Sequence, residues 1–215
     1  MFGKNISRKE VAMTCRNKDT IVREVLRVSV EISESEVHWR NFIRSLVKRG
    51  LHGVELVISD AHEDLKGALK AVLPGTPWHR CQFHLQQNAQ SYIPRQGMKK
   101  EVASRIRAIF NAPCEEDAQR LLSQFVKDYT DTAPRLATWA EENLPEGFMV
   151  FKFPEEHRRR IRTSNMVERL NREINRRTRV VGIFPNSASC LRLVSAVLME
   201  ISEEWEQGRT YLRMT

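Results

Sequence analysis

The chain has 215 residues, 41% of them hydrophobic, and a formal net charge of +8, which suits one domain, possibly with an insertion, and suggests a polyanionic partner. No window approaches the roughly 18 consecutive apolar residues that a membrane span needs, and residues 1–20 lack the apolar core of a secretory signal. The cysteines Cys15, Cys81, Cys114 and Cys190 are too scattered for a disulfide framework, so a reducing cytoplasm is the expected location.

The first part of the chain is predicted to pass from a loose basic stretch into a strand and a helix. Residues 1–20 are polar and show no clear period, which predicts an unstructured N-terminus. The β-branched residues of 21–33 predict a strand. A helix is predicted over 34–50, where apolar residues recur at helical spacing and Ser33 or Ser35 stands at the N-cap position.

A second strand and helix follow, at a similar spacing along the sequence. The apolar run at 54–60 predicts a strand covered on both faces, and the apolar stripe of 61–75 predicts a helix. Residues 76–93 predict a short strand that leads into another helix. Strand and helix in alternation indicate an α/β layer with parallel pairing.

The pattern then changes to amphipathic helices without an obvious strand. Residues 95–155 are punctuated by prolines and predict an all-helical insertion between two parts of a core, 21–94 and 156–208. After the insertion come a basic run at 157–162, a helical segment from Asn165 to Arg177, and a long closing helix.

Asp60 stands at the end of a predicted strand. In open α/β sheets the ligand site lies outside the carboxyl ends of the strands, so an acid there is well placed to hold a metal ion. The alternative is a helix cap, because Asp60 and Glu63 have the D-x-x-E spacing of a capping box.

Glu168 is open to the same two interpretations. Asn165 and Glu168 also have capping-box spacing. On a helix, Glu168, Asn171, Arg172 and Asn175 fall opposite the apolar arc of the segment, so this face could contact metal, water and phosphate together. It could equally be a solvated face on which Glu168 and Arg172 form a weak ion pair.

Two carboxylates converging on one pocket suit Mg²⁺, which takes oxygen ligands. Two such ions can activate a nucleophile and stabilise the leaving oxygen of a phosphodiester, while nearby arginines hold a DNA backbone. The C-x-x-H pair of Cys81 and His84 has no second ligand pair in the sequence, which argues against a zinc finger. The basic run at 157–162 is interpreted as either a solvated loop or a DNA contact.

Three motifs in this order, VISDAHEDL, WHRCQFHLQQN and TSNMVERLNREINRRTRVVGIFPN, resemble the Mutator-type bacterial insertion-sequence transposases. The resemblance runs from about Arg23 to about Glu204. It implies an α/β, ribonuclease H-like fold with a helical insertion between the second and third catalytic acids. It also implies cleavage and joining of DNA at the terminal inverted repeats of an element, with a D-D-E triad and Mg²⁺ or Mn²⁺.

Carried over residue by residue, the resemblance makes Asp60 the second aspartate and Glu168 the glutamate, both as metal ligands. It implies a supporting role at the site for four further residues: Cys81, His84, Asn171 and Arg172. The expected DNA-binding residues are Arg158, Arg159, Arg160, Arg162, Arg169, Arg176, Arg177 and Arg179. The expected partners are the terminal repeats, the target DNA, and a second copy or a full-length transposase, with no membrane.

The sequence also departs from the family pattern. The family's first aspartate lies two strands upstream of the segment at Arg23, and Asp19 is too close to match it. Arg27 and Asp64 stand where the family usually has glycines. The expectation is therefore an N-terminally truncated or decayed transposase with an incomplete core, inactive alone. The alternatives are a non-catalytic DNA-binding remnant that modulates an intact transposase, and an unrelated basic helical module whose acids are only caps.

Overall fold

The computed structural model describes residues 8–16, 20–31, 35–206 and 212–213 and shows a mixed α/β, mostly helical fold. The elements, in chain order, are β1 (Arg8–Arg16), β2 (Thr20–Glu31), α1 (Glu36–Lys48), β3 (Val57–Ser59), α2 (Glu63–Val72), β4 (Trp78–Arg80), α3 (Gln82–Ala89), α4 (Lys99–Phe110), α5 (Glu115–Tyr129), α6 (Pro134–Asn143), α7 (Glu155–Ile161), α8 (Asn165–Val181), α9 (Ser187–Glu206) and β5 (Leu212–Arg213). Among the described residues, none of the helices combines the length and the apolarity that a bilayer span requires.

The chain forms two compact units, each assembled from separate stretches. The first unit is drawn from residues 1–53, 63–74 and 165–215, and the second from residues 54–62 and 75–164. Because the chain passes from one unit to the other at several points, neighbours in sequence can belong to different units. The predicted division into a core interrupted by an insertion stays a prediction.

The sheet of the first unit is antiparallel. β2 pairs with β1 along its length, with a register shift between Ala12 and Met13, and with β5 at its beginning. Helix α9 packs on β2 and shares an apolar core with α8. The buried members of this core are Leu170, Ile174, Cys190, Val194, Val197 and Leu198.

Two expectations for this region are wrong. Residues 8–16 form strand β1, although an unstructured N-terminus is expected from the sequence. The period-two alternation of Val11, Met13 and Cys15 signals a strand, but apolar Ala12 between them weakens the alternation and the charged residues on both sides obscure it. The expected parallel pairing is confirmed for β3 and β4 but does not extend to β2, whose described partners β1 and β5 are both antiparallel to it.

Helices α1 and α2 pack against each other in the first unit. Ser35 caps α1, since its Oγ accepts from the His38 N–H at 3.4 Å, which settles the choice between the two candidate serines. Gly50 follows the end of α1 with a φ of +98°, a conformation that residues with a Cβ rarely adopt. Gly67 lets α2 approach Glu36, whose carboxyl carbon lies 2.9 Å from the point where a Cβ would stand.

The second unit combines a parallel strand pair with a helical core. β3 and β4 pair in register, with Val57 opposite Trp78 and Ser59 opposite Arg80. The predicted helical segments within 95–155 form α4, α5 and α6. Their core is built from apolar residues that include Leu85, Val102, Ile106, Ile109, Phe110, Leu122, Phe125, Leu136 and Leu144. β3 has only three residues, all half-buried, so the expectation of a strand covered on both faces is wrong.

Buried polar side chains join β4 and α3 to the 3₁₀ turn at Leu144–Gly147. The Arg80 guanidinium donates to Asn143 Oδ1 at 2.8 Å and forms an ion pair with Glu146 at 2.9 Å. The Gln82 side-chain amide donates to the Gly147 carbonyl at 2.9 Å. These bonds satisfy groups that would be costly to bury alone, and they fix the end of β4 relative to the helical core.

Gly147→Ala is expected to lower the free energy of unfolding by about 1–3 kcal/mol, because a Cβ at this position would overpack the core. The Cβ would stand 2.9 Å from both Leu85 Cδ1 and Phe110 Cε1, and both side chains are buried. Urea unfolding followed by tryptophan fluorescence measures the change. Gly97→Ala is the control, since nothing lies within 4 Å of a Cβ there, and an equal loss in the two variants would contradict the prediction.

Candidate active site and nucleic-acid interface

The carboxyl ends of β3 and β4 bring two of the sequence-predicted site residues to one edge of the second unit. Asp60 follows β3 and Cys81 follows β4. The Cys81 N–H donates to the Ser59 carbonyl at 2.8 Å, so pairing continues one residue past β4. This bond fixes the backbone next to Asp60 at the edge where open α/β sheets place their ligands.

The Asp60 carboxylate is held on one side and accessible on the other. Its Oδ1 accepts from the Ala61 N–H at 2.7 Å, and its Oδ2 lies 3.8 Å from His84 Nδ1. The side chain is 52% exposed. Helix α2 begins at Glu63, so Asp60 lies ahead of the N-cap position and does not take the cap place of the D-x-x-E box. Glu63 instead pairs with Lys66 Nζ at 3.0 Å.

Cys81 and His84 contribute differently to this edge. Cys81 stands at the N-cap of α3 rather than within the helix, and it is fully buried. Its Sγ accepts from the Ser164 N–H at 3.3 Å. His84, in the first turn of α3, is half-buried and faces Asp60. The structure therefore brings His84 to Asp60, while the supporting role implied for both residues stays a prediction.

His79 is a buried polar residue of this unit that the sequence reasoning missed. It is 0% exposed, and its Nε2 lies 3.3 Å from the Arg162 carbonyl, which also accepts from the Gln82 N–H. Burial lowers the pKa of His79 to about 4, although the bond to Arg162 opposes the shift. The polar run W-H-R-C-Q resembles a surface segment, and only its place beside a buried strand signals otherwise.

The basic run at 157–162 lies in helix α7 and the residue after it, not in a loop. Arg158 donates to the carbonyls of Phe153 at 2.9 Å, Pro113 at 2.6 Å and Phe151 at 3.2 Å. These bonds give Arg158 a structural role, and its expected DNA contact stays a prediction. Arg162 donates to Asn111 Oδ1 at 2.9 Å. The two exposed residues of the run are Arg159 and Arg160.

Helix α8 has the predicted apolar face. Leu170 and Ile174 are buried, and Thr178 continues the same face, its hydroxyl donating to the Ile174 carbonyl at 2.8 Å. Glu168 lies in the first turn and is half-buried. Asn165 is the first residue of the helix, so it lies inside the first turn and not at the expected cap position.

The opposite side of α8 is polar, as predicted. Arg172 and Asn175 are exposed, whereas Asn171 is half-buried. Asn171 Oδ1 is buried and has no hydrogen-bond partner among the described residues. Asp60 and Glu168 belong to different units, and their pairing stays a prediction.

One acid partly neutralises the arginine-rich end of α8. Glu173 accepts from Arg176 at 2.8 and 2.6 Å and from Arg177 at 3.1 Å. The hydrogen bonds from Arg176, and to a smaller extent the one from Arg177, lower the pKa of Glu173 to about 2. Its carboxyl group is therefore ionised at neutral pH. Two expected DNA-binding residues of this helix, Arg169 and Arg179, are exposed and form no ion pair with an acid of the described part of the chain. Arg172, expected to support the site, is exposed as well. Arg176 and Arg177 are shared with Glu173, and Arg177 also lies 3.8 Å from Glu200.

Residues 9–208 match the family model described as Transposase, Mutator family. The chain is 54% identical over 190 residues to the transposase for insertion sequence element IS406 of Burkholderia multivorans, covering 88% of this chain and 49% of that protein. It is 40% identical over 190 residues to the transposase for IS1081 of Mycobacterium tuberculosis, covering 88% and 46%. It is 38% identical over 192 residues to the transposase for ISRM5 of Rhizobium meliloti, covering 89% and 48%.

The chain thus spans about half the length of these relatives, while the relatives and the family model match most of the chain. The resemblance seen in the three sequence motifs is confirmed. The chain belongs to the Mutator family of transposases.

Proposed function

We propose that the chain carries the catalytic part of an insertion-sequence transposase with a ribonuclease H-like core. In this proposal, Asp60 and Glu168 are two acids of a D-D-E triad, and residues 95–155 are the insertion between them. The reaction is cleavage of DNA at the terminal inverted repeats of the element and transfer of the cut strand to a target.

The observation that carries the proposal is the position of Asp60. It follows β3, beside the parallel strand β4, with one carboxylate oxygen held by the Ala61 N–H and about half of the side chain exposed. A carboxylate used only as a helix cap would take the N-cap place, and Asp60 does not. Family membership supports assigning a reaction on DNA to this site.

The donor chemistry at Asp60 fits a magnesium or manganese ion, because hard divalent cations prefer carboxylate oxygen. Asp60 would hold the ion together with Glu168. When bound, the metal would activate the attacking oxygen and stabilise the leaving oxygen of the phosphodiester. His84, 3.8 Å from Asp60, would orient the carboxylate, and buried Cys81 would support the turn from which His84 projects.

The exposed arginines of α7 and α8 would bind the DNA backbone. Arg159 and Arg160 on α7, and Arg169, Arg172 and Arg179 on α8, are all exposed. Guanidinium groups suit phosphate because they donate in a planar fork. Such contacts position the DNA without reading its sequence, so recognition of a particular terminal repeat needs additional base contacts.

The test is a cleavage assay on duplexes that carry the ends of the element, with Mg²⁺ or Mn²⁺, using the chain alone and mixed with a full-length transposase of that element. Two of the three expected acids are assigned in this sequence, so weak cleavage or none is expected from the chain alone. Glu168→Gln should remove whatever metal-dependent nicking the chain adds. If the variant adds as much nicking as the unchanged chain does, the catalytic assignment is refuted.

A second candidate function is DNA binding without catalysis, by which the chain would modulate an intact transposase through co-assembly. The observation that favours it is the exposed arginine face of α8, which would bind phosphate whether or not Asp60 acts. Salt-sensitive DNA binding with no nicking at any metal concentration, and inhibition of the full-length enzyme in mixtures, would support this function over the first. If the folded chain binds neither DNA nor metal, both candidates fail.

Glu173→Gln is expected to strengthen DNA binding, because it releases Arg176 and Arg177 from an ionised partner. The slope of log affinity against log salt should become steeper by roughly one to two. Fluorescence anisotropy with a labelled duplex across a salt series measures both changes. The control is Glu203→Gln, which makes the same change in net charge on an exposed residue of α9, and equal slopes in the two variants would contradict the prediction.

A further inference from the structure

The turn between α8 and α9 exposes an unusual amount of aliphatic surface. Val180 is 85% exposed, Ile183 is 76% exposed and Val181 is 48% exposed. Single exposed aliphatic residues are common on protein surfaces, but three within four positions form a patch that requires an explanation. We name Val180, Val181 and Ile183 the apolar turn.

Backbone hydrogen bonds and packing hold the apolar turn. The Gly182 N–H donates to the Arg179 carbonyl at 3.2 Å, and the Ile183 N–H donates to the Val181 carbonyl at 3.0 Å. Gly182 has a φ of +73°, which allows the chain to reverse sharply there. Phe184 packs against the core shared by α8 and α9, and Asn186 Oδ1 accepts from the Ser189 N–H at 2.8 Å. The exposed aliphatic side chains therefore project from a hydrogen-bonded turn.

A row of arginines leads along α8 to this turn. At about 100° per residue, Arg169, Arg172, Arg176 and Arg179 fall within one arc, and Val180 falls at its margin. All four arginines are exposed. The row is about 15 Å long at the rise of an α-helix, enough to follow several phosphates of one strand.

We infer that the apolar turn is a wedge that enters the DNA at a base step, while the arginine row holds the adjacent backbone. Aliphatic side chains that insert between base steps from the minor groove unstack them and kink the duplex. The cost of unstacking is repaid by the phosphate contacts that the kink permits. The inference rests on the proposed function and adds to it a contact with bases.

Charge complementarity favours DNA over a protein partner as the occupant. The cores of protein interfaces are depleted of charged residues, whereas a row of four exposed arginines leads to this small patch. A protein partner would bury the patch but would have to satisfy the arginines with acids. A DNA duplex supplies both apolar base faces and a row of phosphates.

The experiment uses the whole chain and a duplex of roughly 30 base pairs with 2-aminopurine at a central TA step, a flexible step that kinks readily. 2-Aminopurine fluoresces more strongly when it is unstacked. The chain should raise the fluorescence at saturation. The double variant Val180→Ser, Ile183→Ser should lose the rise while keeping the slope of affinity against salt. Val37→Ser, at an exposed valine of α1, is the control and should keep the rise.

A rise that survives in the double variant, or binding with no rise in the unchanged chain, would overturn the inference and leave the proposed function standing. If the unchanged chain does not bind DNA at all, both the inference and the proposed function are refuted. Sedimentation velocity supplies a second readout. If the unchanged chain associates with itself and the double variant does not, the apolar turn is a protein interface and the inference is wrong.

Discussion

Asp60→Asn is expected to weaken Mn²⁺ binding by the chain and to remove the metal-dependent DNA cleavage that the chain adds to a full-length transposase, because the loss of the metal removes on the order of several kcal/mol of transition-state stabilisation. The amide keeps the shape of the side chain and can still accept from the Ala61 N–H, so the turn after β3 should fold unchanged. The change removes a negative charge and one oxygen ligand, which Mg²⁺ requires.

The variant is tested in two ways, because cleavage depends on the rest of the transposase. Electron paramagnetic resonance of free Mn²⁺ measures metal binding by the chain itself, and nicking of end-containing duplexes in mixtures with the full-length enzyme measures activity. Asp131→Asn is the matched control, since it makes the same chemical change at an exposed residue of the second unit. Equal Mn²⁺ affinity in the two variants would exclude Asp60 as a ligand.

Acid is expected to destabilise the second unit through His79, by up to about 3 kcal/mol between pH 6.5 and pH 4. The folded pKa of about 4 lies below the ordinary value of 6.5, so in this window the unfolded chain binds more protons than the folded one. The stabilisation that comes from keeping His79 neutral in the folded chain is therefore fully present above pH 6.5, and it is lost as pH falls toward 4. Nε2 faces the Arg162 carbonyl, and a second proton on Nδ1 would have no acceptor among the described residues.

Urea unfolding at a series of pH values, followed by tryptophan fluorescence, measures this loss. His79→Gln should be less stable at neutral pH, because a buried ring is replaced by a smaller amide, but its stability should fall less steeply between pH 6.5 and pH 5. His52→Gln is the control, because His52 is exposed in the first unit and should leave the slope unchanged. An unchanged slope in His79→Gln would assign the acid sensitivity to other groups.

The helices could be predicted from the sequence because their signals are local. The apolar spacing of α8 places Leu170 and Ile174 in the core, and Ser35 caps α1 as the residue type suggests. The transition from β4 into α3 could also be predicted from the sequence, and so could the position of Asp60 after β3. Each of these features depends on residues within a few positions of one another.

The features that could not be predicted depend on distant parts of the chain. His79 contacts the Arg162 carbonyl, 83 positions away in the sequence. Strand β1 is different, because its partner β2 is close in sequence and only the weak alternation of its residues hid it. Arg158 is read from sequence as one of a run of surface charges, yet it binds three backbone carbonyls. Residue type and spacing alone cannot distinguish an arginine that donates to backbone carbonyls from one that is available to bind a phosphate group.

The interleaving of the two units affects the order in which the protein can fold during synthesis. The chain crosses between them after residues 53, 62, 74 and 164, so neither unit is encoded by one continuous stretch of the gene. The first unit cannot complete its core until α8 and α9 leave the ribosome, by which time the whole of the second unit has been made. β2 must therefore wait while residues 32–186 are made before α9, the helix that packs on it, can follow.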